Sequence, residues 1–427
     1  MSFRDSELVA GHLLDSGFAL ADSVDSADII IFNSCSVRKH AEDRVIGNIE
    51  DLKLLKRKKP GLIIGLMGCT AQNYKSKILD RLPILDFSCG PGNECDIPDI
   101  IEDILKHRGT IVATDKIGKK RPELFSAHRE DEHKTSVSIG EGCDNFCSYC
   151  IVPYVRGRER SRAAKDIIRE VKELAGRGFK EIMLLGQNVN SYGRTTNDER
   201  RTTSFVKLLE RLDKIKGVER IRFMTSHPKD ASVELFKAMS DLEKVCAHLH
   251  LPLQSGSDKI LKLMNRGYTA KKYISLVKEY KKYVSAGSIT TDIIVGFPSE
   301  KEDDFDKTVK MMKDMECDGA YMFKYSPRPP AKSSKLKDDV NQADKERRLA
   351  TLISLQREIS LKRNELLTGE TFDVLVDGRG KRDRAKFTGR TDTNKMTIFD
   401  GSIEMIGRIV SVKVESVSPH ALRGRVV

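Results

Sequence analysis

Three cysteines within eight residues constrain this chain more than any other feature. In Gly142-Cys143-Asp-Asn-Phe-Cys147-Ser-Tyr-Cys150 they are spaced CxxxCxxC, directly after the apolar stretch Ser136–Ile139, which reads as a strand. Three thiolates on one short loop can hold three irons of a [4Fe–4S] cube. The fourth iron keeps an open coordination position where a ligand can bind and react. A structural zinc site is the competing reading, but it needs a fourth donor and its usual spacing is paired CxxC.

The setting of that loop matters. Nine cysteines, at 35, 69, 89, 95, 143, 147, 150, 246 and 317, are an odd number in a long chain whose start shows no export signal. Such cysteines are metal ligands, catalytic groups or buried core rather than a disulfide framework, and a cytoplasmic location is expected. No apolar run reaches the roughly eighteen residues of a membrane span, so no membrane partner is expected. With 427 residues and 39% hydrophobic content, the chain can bury two or three cores, which excludes a disordered protein. Its net charge of +12 suits a polyanionic partner.

Helix and strand alternate from Asp5 to about His107. An amphipathic stretch (Ser6 to Ser16) precedes the apolar run Asp28–Phe32, and a charged helix (Val37 to Lys58) leads into Leu62–Met67. This alternation predicts an α/β, doubly wound parallel sheet over residues 1–113. A linker comes next at 114–134, where Lys119-Lys-Arg-Pro122 interrupts apolar periodicity. From 135 to 366 six strands are predicted, at Ser136–Ile139, Glu181–Leu185, Arg220–Met224, Ala247–Pro252, Ser288–Val295 and Gly319–Tyr325, separated by helical segments such as Asp166–Ala175 and Lys259–Met264. Six such units favour a closed or partly closed (β/α)6 barrel of the TIM type, with its chemistry at the C-terminal ends of the strands. A charged helix from about Gln342 to Leu367 leads to a tail, 367–427. There Thr371–Val376, Arg384–Thr388, Met396–Phe399 and Ile409–Val414 predict a small all-β barrel.

The CxxxCxxC loop resembles the radical SAM superfamily signature. Seven further runs look like the methylthiotransferases: Tyr154–Arg162, Leu185–Tyr192, Thr225–Pro228, His250–Asp258, Met264–Tyr268, Asp292–Pro298 and Phe323–Arg328. The resemblance covers nearly the whole chain and includes a tail similar to a TRAM domain, an RNA-binding, OB-like barrel. It implies that Cys143, Cys147 and Cys150 hold a [4Fe–4S] cluster whose fourth iron is chelated by S-adenosylmethionine, with Tyr149 against the adenine. It also implies a second, auxiliary [4Fe–4S] cluster on three N-terminal cysteines. The runs at 158–162 and 186–190 are closest to members that convert N6-isopentenyladenosine at position 37 of tRNA to its 2-methylthio derivative. Members acting on threonylcarbamoyl-adenosine, or on a ribosomal-protein aspartate, remain alternatives, with a non-catalytic, metal-bearing RNA-binding protein as a distant one. The implied partners are the tRNA anticodon loop, an electron donor such as flavodoxin or ferredoxin, and a sulfur donor.

Cys35 and Cys69 match two auxiliary ligands, and each falls just past a predicted parallel strand, where open α/β sheets gather ligands. The third has no counterpart. Met1-Ser-Phe-Arg-Asp5-Ser-Glu7 aligns with the stretch just after the family's first cysteine, so the expectation is a chain that starts late, without its first strand and one ligand. Cys89 and Cys95 are weaker substitutes, and Cys246 and Cys317 read as core.

Among the other polar groups, Gln187, Asn188 and Asn190 come after one predicted barrel strand and Gln254 and Ser255 after another. Gln187, Asn188, Gln254 and Ser255 are taken as cofactor contacts, with turn or capping roles as the alternative. His227 is open between contact and turn. Arg156, Arg158, Arg160 and Arg162 lie just past the cluster loop, where they could meet a cofactor carboxylate, RNA phosphates or neighbouring acids; Arg158, Arg160 and Arg162 are assigned to RNA. Arg382, Arg384 and Lys386, with Arg379 and Lys381, crowd one predicted turn and strand suited to a phosphate backbone. The basic run Lys53–Lys59 reads as an exposed helix face. No Walker loop or GxGxxG fingerprint is present.

Overall fold

The computed structural model of the chain describes residues 2–36, 39–115, 128–193 and 204–427. The basic centre of the expected linker, 119–122, and Arg38 lie outside the described residues. Two compact units are formed. One comprises 1–130, 141–160 and 328–334; the other comprises 131–140, 161–327 and 335–427.

The first unit is built on a four-stranded sheet, β1 (Ile29–Ser34), β2 (Ile63–Gly68), β3 (Phe87–Cys89) and β4 (Ile111–Ala113), in that order and parallel throughout. Helices α1 (Ser2–Asp15), α2 (Lys39–Asp51), α3 (Lys53–Lys58) and α4 (Cys69–Tyr74) accompany it. Two apolar clusters use the sheet's two faces. Ile64 and Leu66 join Ile46 and Ile49 in one, and Ile63 and Met67 join Val9 and Ile101 in the other. This is why β2 is apolar at consecutive positions instead of alternating. Cys89 lies fully buried in the second cluster. Its hydrophobic surroundings suit a small core side chain.

The second unit carries six parallel strands as two three-stranded sheets. One holds β5 (Lys134–Ser138), β8 (Glu181–Leu185) and β9 (Arg220–Phe223); the other holds β10 (His248–His250), β11 (Ser288–Val295) and β12 (Gly319–Lys324). An isolated bridge, Ile221 to Val245, links β9 to the segment that leads into β10. The two-residue strands β6 (Gly140–Glu141) and β7 (Arg160–Ser161) bracket the cysteine loop in sequence. One parity of the first five of these strands is apolar: Val137, Ile182, Leu184, Ile221, Phe223, Leu249 and Ile289 pack with helix residues such as Ile167, Leu208 and Tyr273. The other parity is largely polar, with Ser136, Ser138, Arg222, His248, His250, Thr290 and Asp292. Cys317 belongs to the apolar cluster, and Cys246 is buried beside Arg222.

After the 24-residue helix Gln342–Glu365, the chain closes into a five-stranded barrel: β13 (Thr371–Arg379), β14 (Phe387–Thr391), β15 (Met396–Asp400), β17 (Ala421–Val426) and β16 (Ile409–Ser418). Val374, Val376, Phe387, Phe399 and Val412 fill it. The sequence reading placed the second strand at 384–388 and had no counterpart to β17. In β17, Ala-Leu-Arg-Gly-Arg-Val offers too little apolar alternation to announce a strand, and the barrel closes by pairing it with both β15 and β16. Gly424 permits that closure, since a Cβ there would stand 2.0 Å from the Lys413 carbonyl oxygen.

The barrel is attached through β9 and the starts of β11 and β12. Arg220 donates to the carbonyls of Arg390 (2.6 Å) and Asp373 (2.7 Å), and Arg222 to those of Thr391 (2.6 Å) and Asp392 (2.8 Å). The Ser288 hydroxyl reaches the Thr393 carbonyl at 2.6 Å, and Lys395 Nζ reaches Asp318 at 2.8 Å. Covering that end leaves the C-terminal ends of the strands for ligands.

Candidate metal centre and ligand rim

In the first unit, backbone geometry shapes the cysteine loop. Gly142 has φ +75°, and a Cβ there would lie 2.1 Å from the Arg158 carbonyl oxygen, so only glycine lets the two ends of the loop approach. Phe146 is left-handed at φ +45°, its ring edge-on to Tyr154 and beneath the Arg158 guanidinium at 5.3 Å. Asn145 Nδ2 lies 3.4 Å from Cys143 Sγ, and the Cys150 amide donates to the Cys147 carbonyl at 2.9 Å. Burial pushes the Cys143 thiol up to about 11, the nearby charge of Cys147 adds to the rise, and Asn145 opposes it. A thiol held protonated by burial is one that a bound metal, which ligates the thiolate, would deprotonate. Among the described residues no three His, Cys, Asp or Glu side chains converge as tightly as one metal ion requires. A four-iron cube spreads its cysteines over separate corners, so the three thiols of this loop fit that larger group.

Cys35 and Cys69 lie in the same unit. Cys35 comes just after β1; Cys69 opens α4 after Gly68, at φ +92°. The loops approach closely, since a Cβ on Gly68 would meet Asn33 Oδ1 at 2.5 Å, and Thr70 Oγ1 donates to Ser34 Oγ at 3.0 Å. Burial raises the Cys69 thiol, Arg156 counteracts it, and the charge of Cys35 adds to the rise. Among the described residues no third His, Cys, Asp or Glu joins this pair to complete a ligand group. Cys69 also packs against Ile151 and Val155, just beyond Cys150. Cys69 and the segment that follows the cysteine loop thus share one packed cluster.

Arg156 is the residue whose role sequence reasoning did not separate from its neighbours. It is buried, with Nε 3.3 Å from Cys69 Sγ, Nη1 3.2 Å from Glu141 and Nη2 2.5 Å from Asp5. The other arginines of the run differ. Arg158 pairs with Asp144 at 2.8 Å while its side chain stays 73% exposed, and Arg160 meets Glu141 at 3.4 Å. Arg162, in the second unit, binds Glu170 and the Ser138 carbonyl. Tyr149 is half-buried in a turn between Ser148 and Cys150.

The second unit gathers the polar residues at the C-terminal ends of β8, β9 and β10. Asn188 Nδ2 donates to Asp230 at 2.8 Å. Gln187 Oε1, Asn188 Oδ1, Ser226 Oγ, His227 Nε2 and Gln254 Oε1 are buried without a partner among the described residues. Each such atom costs about 1–3 kcal/mol unless something bonds it, so five around one rim point to a polar ligand. Thr225 and Gln254 hold left-handed backbone at φ +73° and +74° after β9 and β10, strain of the kind found where side chains are aimed at ligands. Ser255 is turned instead toward the structure behind it, near Thr308 Oγ1 and accepting from the Ser257 amide. His227 Nδ1 accepts from the Lys229 amide at 3.1 Å, which places the ring proton on Nε2.

On the C-terminal barrel, Arg382 and Arg384 are exposed in the turn after β13. Lys386 is held by Asp400 at 2.7 Å, and Arg379 stacks on Phe387 while donating to the Arg384 carbonyl.

Comparison with known proteins agrees with this layout. Residues 137–312 match the radical SAM superfamily, residues 1–90 an uncharacterized protein family (UPF0004), and residues 365–427 the TRAM domain. Along its whole length the chain is 44% identical to a tRNA-2-methylthio-N(6)-dimethylallyladenosine synthase of Thermoanaerobacter sp. (strain X514), covering 90% of that protein. The chain belongs to the tRNA-2-methylthio-N(6)-dimethylallyladenosine synthase family. Relatives of the same name in Clostridium novyi and Carboxydothermus hydrogenoformans are 43% and 42% identical, again over the full chain, which covers 94% and 97% of them. Among solved structures, a radical S-adenosylmethionine methyltransferase, TsrM, from Kitasatospora setae matches 75% of this chain and 70% of its own, with TM-score 0.55 and 12% identity. That likeness is one of fold. Family membership makes this chain a radical SAM enzyme. Among the described residues no helix is long and apolar enough to cross a membrane.

Proposed function

We propose that this chain is a radical SAM methylthiotransferase that converts N6-isopentenyladenosine at position 37 of tRNA to its 2-methylthio derivative. The observation that carries the reading is the packing of the CxxxCxxC loop with Cys69 in one compact unit, in a chain whose full-length relatives bear that activity in their name. Cys143, Cys147 and Cys150 would hold one [4Fe–4S] cluster, and Cys35 and Cys69 part of an auxiliary one. Bound there with S-adenosylmethionine, these groups supply one-electron cleavage of a sulfonium and a site for sulfur, chemistry no acid or base in the chain could provide.

The chain's own residues bind, orient and exclude water. Tyr149 offers a face to the cofactor's adenine, while Gln187, Asn188 and Gln254 present oxygens that accept from ligand N–H or O–H groups. Ser255 supports the turn that carries Gln254. An adenine from the single-stranded anticodon loop can leave its stack at modest cost, so the open strand ends can receive it without separating a duplex. Arg382 and Arg384 keep exposed charge for phosphates; Arg158, although exposed, shares its charge with Asp144, as Arg160, Arg162 and Lys386 do with other carboxylates. An electron donor such as flavodoxin or ferredoxin and a sulfur donor are the remaining partners, with the cytoplasm as the location.

Two measurements test this. Transfer RNA from cells lacking the endogenous enzyme should regain the 2-methylthio nucleoside when this chain is expressed, read by mass spectrometry of digested nucleosides; an unchanged isopentenyl nucleoside would overturn the substrate. Cys147→Ala should abolish 5′-deoxyadenosine formation under a strong reductant, and a variant that still cleaves the cofactor would overturn the ligand assignment.

A further inference from the structure

We infer that Tyr321 is a specificity-determining residue, the aromatic wall against which the target adenine stacks once it has left the anticodon loop. This rests on the reading that the substrate is a tRNA adenosine, and it names the side chain of this protein that receives the base.

Strand parity puts Tyr321 on the inner, polar face of the six strands. In β12 it is the register partner of Asp292, and Phe323, the partner of Ile294, follows on the same side. Met322 between them points the other way, against the cluster that holds Phe305 and Leu352. β12 stands at the end of its three-stranded sheet, and there Tyr321 stays 47% exposed while His248 and His250 on the same face are buried. The ring is nonetheless held. It meets His250 edge to face, with centroids 5.8 Å apart and planes at 70°. His250 is fixed in turn: Nδ1 lies 3.0 Å from Thr290 Oγ1, which is also 2.9 Å from His248 Nε2, and Nε2 lies 3.6 Å from Asp292. A hydroxyl has one hydrogen, so Thr290 donates to one imidazole and accepts from the other, which ties the two rings together. A ring already fixed loses little freedom when a second ring stacks on it. The ligand rim adjoins this wall. Gln254, whose Oε1 is buried without a partner among the described residues, donates its amide to the Asp292 carbonyl at 2.7 Å, and its carbonyl accepts the Ile294 amide at 2.9 Å. Gln254 thus bonds the same two residues of β11 that stand opposite Tyr321 and Phe323. An adenine drawn out of an RNA loop gives up its stacking, which an aromatic side chain restores. Its isopentenyl group adds apolar surface, for which Phe323 offers contact.

The test uses the reconstituted full-length protein and labelled anticodon stem-loop RNAs that carry either N6-isopentenyladenosine or an abasic site at position 37, with affinities read by fluorescence anisotropy. The parent should bind the RNA with the base more tightly. Tyr321→Ala should cut that preference roughly tenfold and Tyr321→Phe should keep it, because stacking needs the ring and not the hydroxyl. With 2-aminopurine at position 37, fluorescence should be quenched in the complex with the parent and recover in the complex with Tyr321→Ala. A preference unchanged in Tyr321→Ala would overturn the inference, as would a parent with no preference, an equal loss of affinity for both RNAs, or the same loss in Tyr321→Phe. Product formation is a separate readout: a parent that stacks the base yet makes no methylthio nucleoside counts against the proposed activity and not against the stacking wall.

Discussion

Asn190 and His227 clasp each other across two strand ends: Asn190 Oδ1 accepts the His227 amide at 2.9 Å, and its Nδ2 donates to the His227 carbonyl at 3.0 Å. Both residues are buried, so this pair fixes the loop after β8 against the loop after β9. Four of the rim's five unpartnered atoms, those of Gln187, Asn188, Ser226 and His227, sit on those loops. Asn190→Ala should orphan a buried amide and a buried carbonyl, lowering stability by about 1–3 kcal/mol in urea unfolding and weakening S-adenosylmethionine binding in calorimetry. Wild-type stability in that variant would show that the clasp contributes nothing.

His227 gives the rim a pH dependence. Burial first, then the charges of Arg266 and Lys229, hold its pKa down at about 2, against an ordinary value of 6.5. Its folded pKa lies below its unfolded one, so only the unfolded chain takes up a proton as the pH falls through 6.5. Stability is therefore complete above that pH and declines below it, by up to about 1.4 kcal/mol per pH unit from this one group. His248, held at about 3 mainly by burial, acts in the same direction. His227→Gln should flatten the fall in urea midpoint between pH 7 and pH 5; an unaltered slope would place the dependence elsewhere.

Gly142→Ala tests the cysteine loop without touching a thiol. Its Cβ would collide with the Arg158 carbonyl oxygen and sit at a left-handed φ. Iron bound by the loop, read from visible absorbance after reconstitution, should drop sharply while far-UV circular dichroism stays unchanged.

Arg222 binds Glu181 at 2.8 Å as well as two carbonyls of the C-terminal barrel. Arg222→Met leaves a buried carboxylate and two carbonyls without their donor, a loss of about 3–5 kcal/mol. Limited proteolysis should then release a fragment near the C-terminal barrel that the parent protein resists.

Arg382 and Arg384 should each lower the salt dependence of tRNA binding when changed to alanine, by about one phosphate contact apiece in a plot of log affinity against log salt. Lys386→Ala should have a smaller effect because Asp400 already holds its charge. Equal effects from all three would mean that RNA displaces the Asp400 pair.

Local pattern carried the architecture. The β5, β8, β9, β10 and β11 strands are legible because one parity is apolar and strand length is short, and β12 because it is a short apolar run; all of this survives translation into a linear pattern. The spacing of Cys143, Cys147 and Cys150 likewise lies within a single loop, where sequence distance and spatial distance are nearly the same quantity. The amino-acid order could not express which distant group each buried charge chooses. Arg156 finds Cys69 across 87 residues and Arg222 finds the Thr391 carbonyl across 169, partners selected by the folded backbone and by the high cost of leaving a buried guanidinium unpaired. The ring proton of His227 was equally invisible, because an amide two residues on, held in place by a short helical turn, decides it. Composition and spacing thus determined the fold class and the cysteine loop; tertiary structure alone decided which arginines are free for a ligand and which are committed to the protein itself.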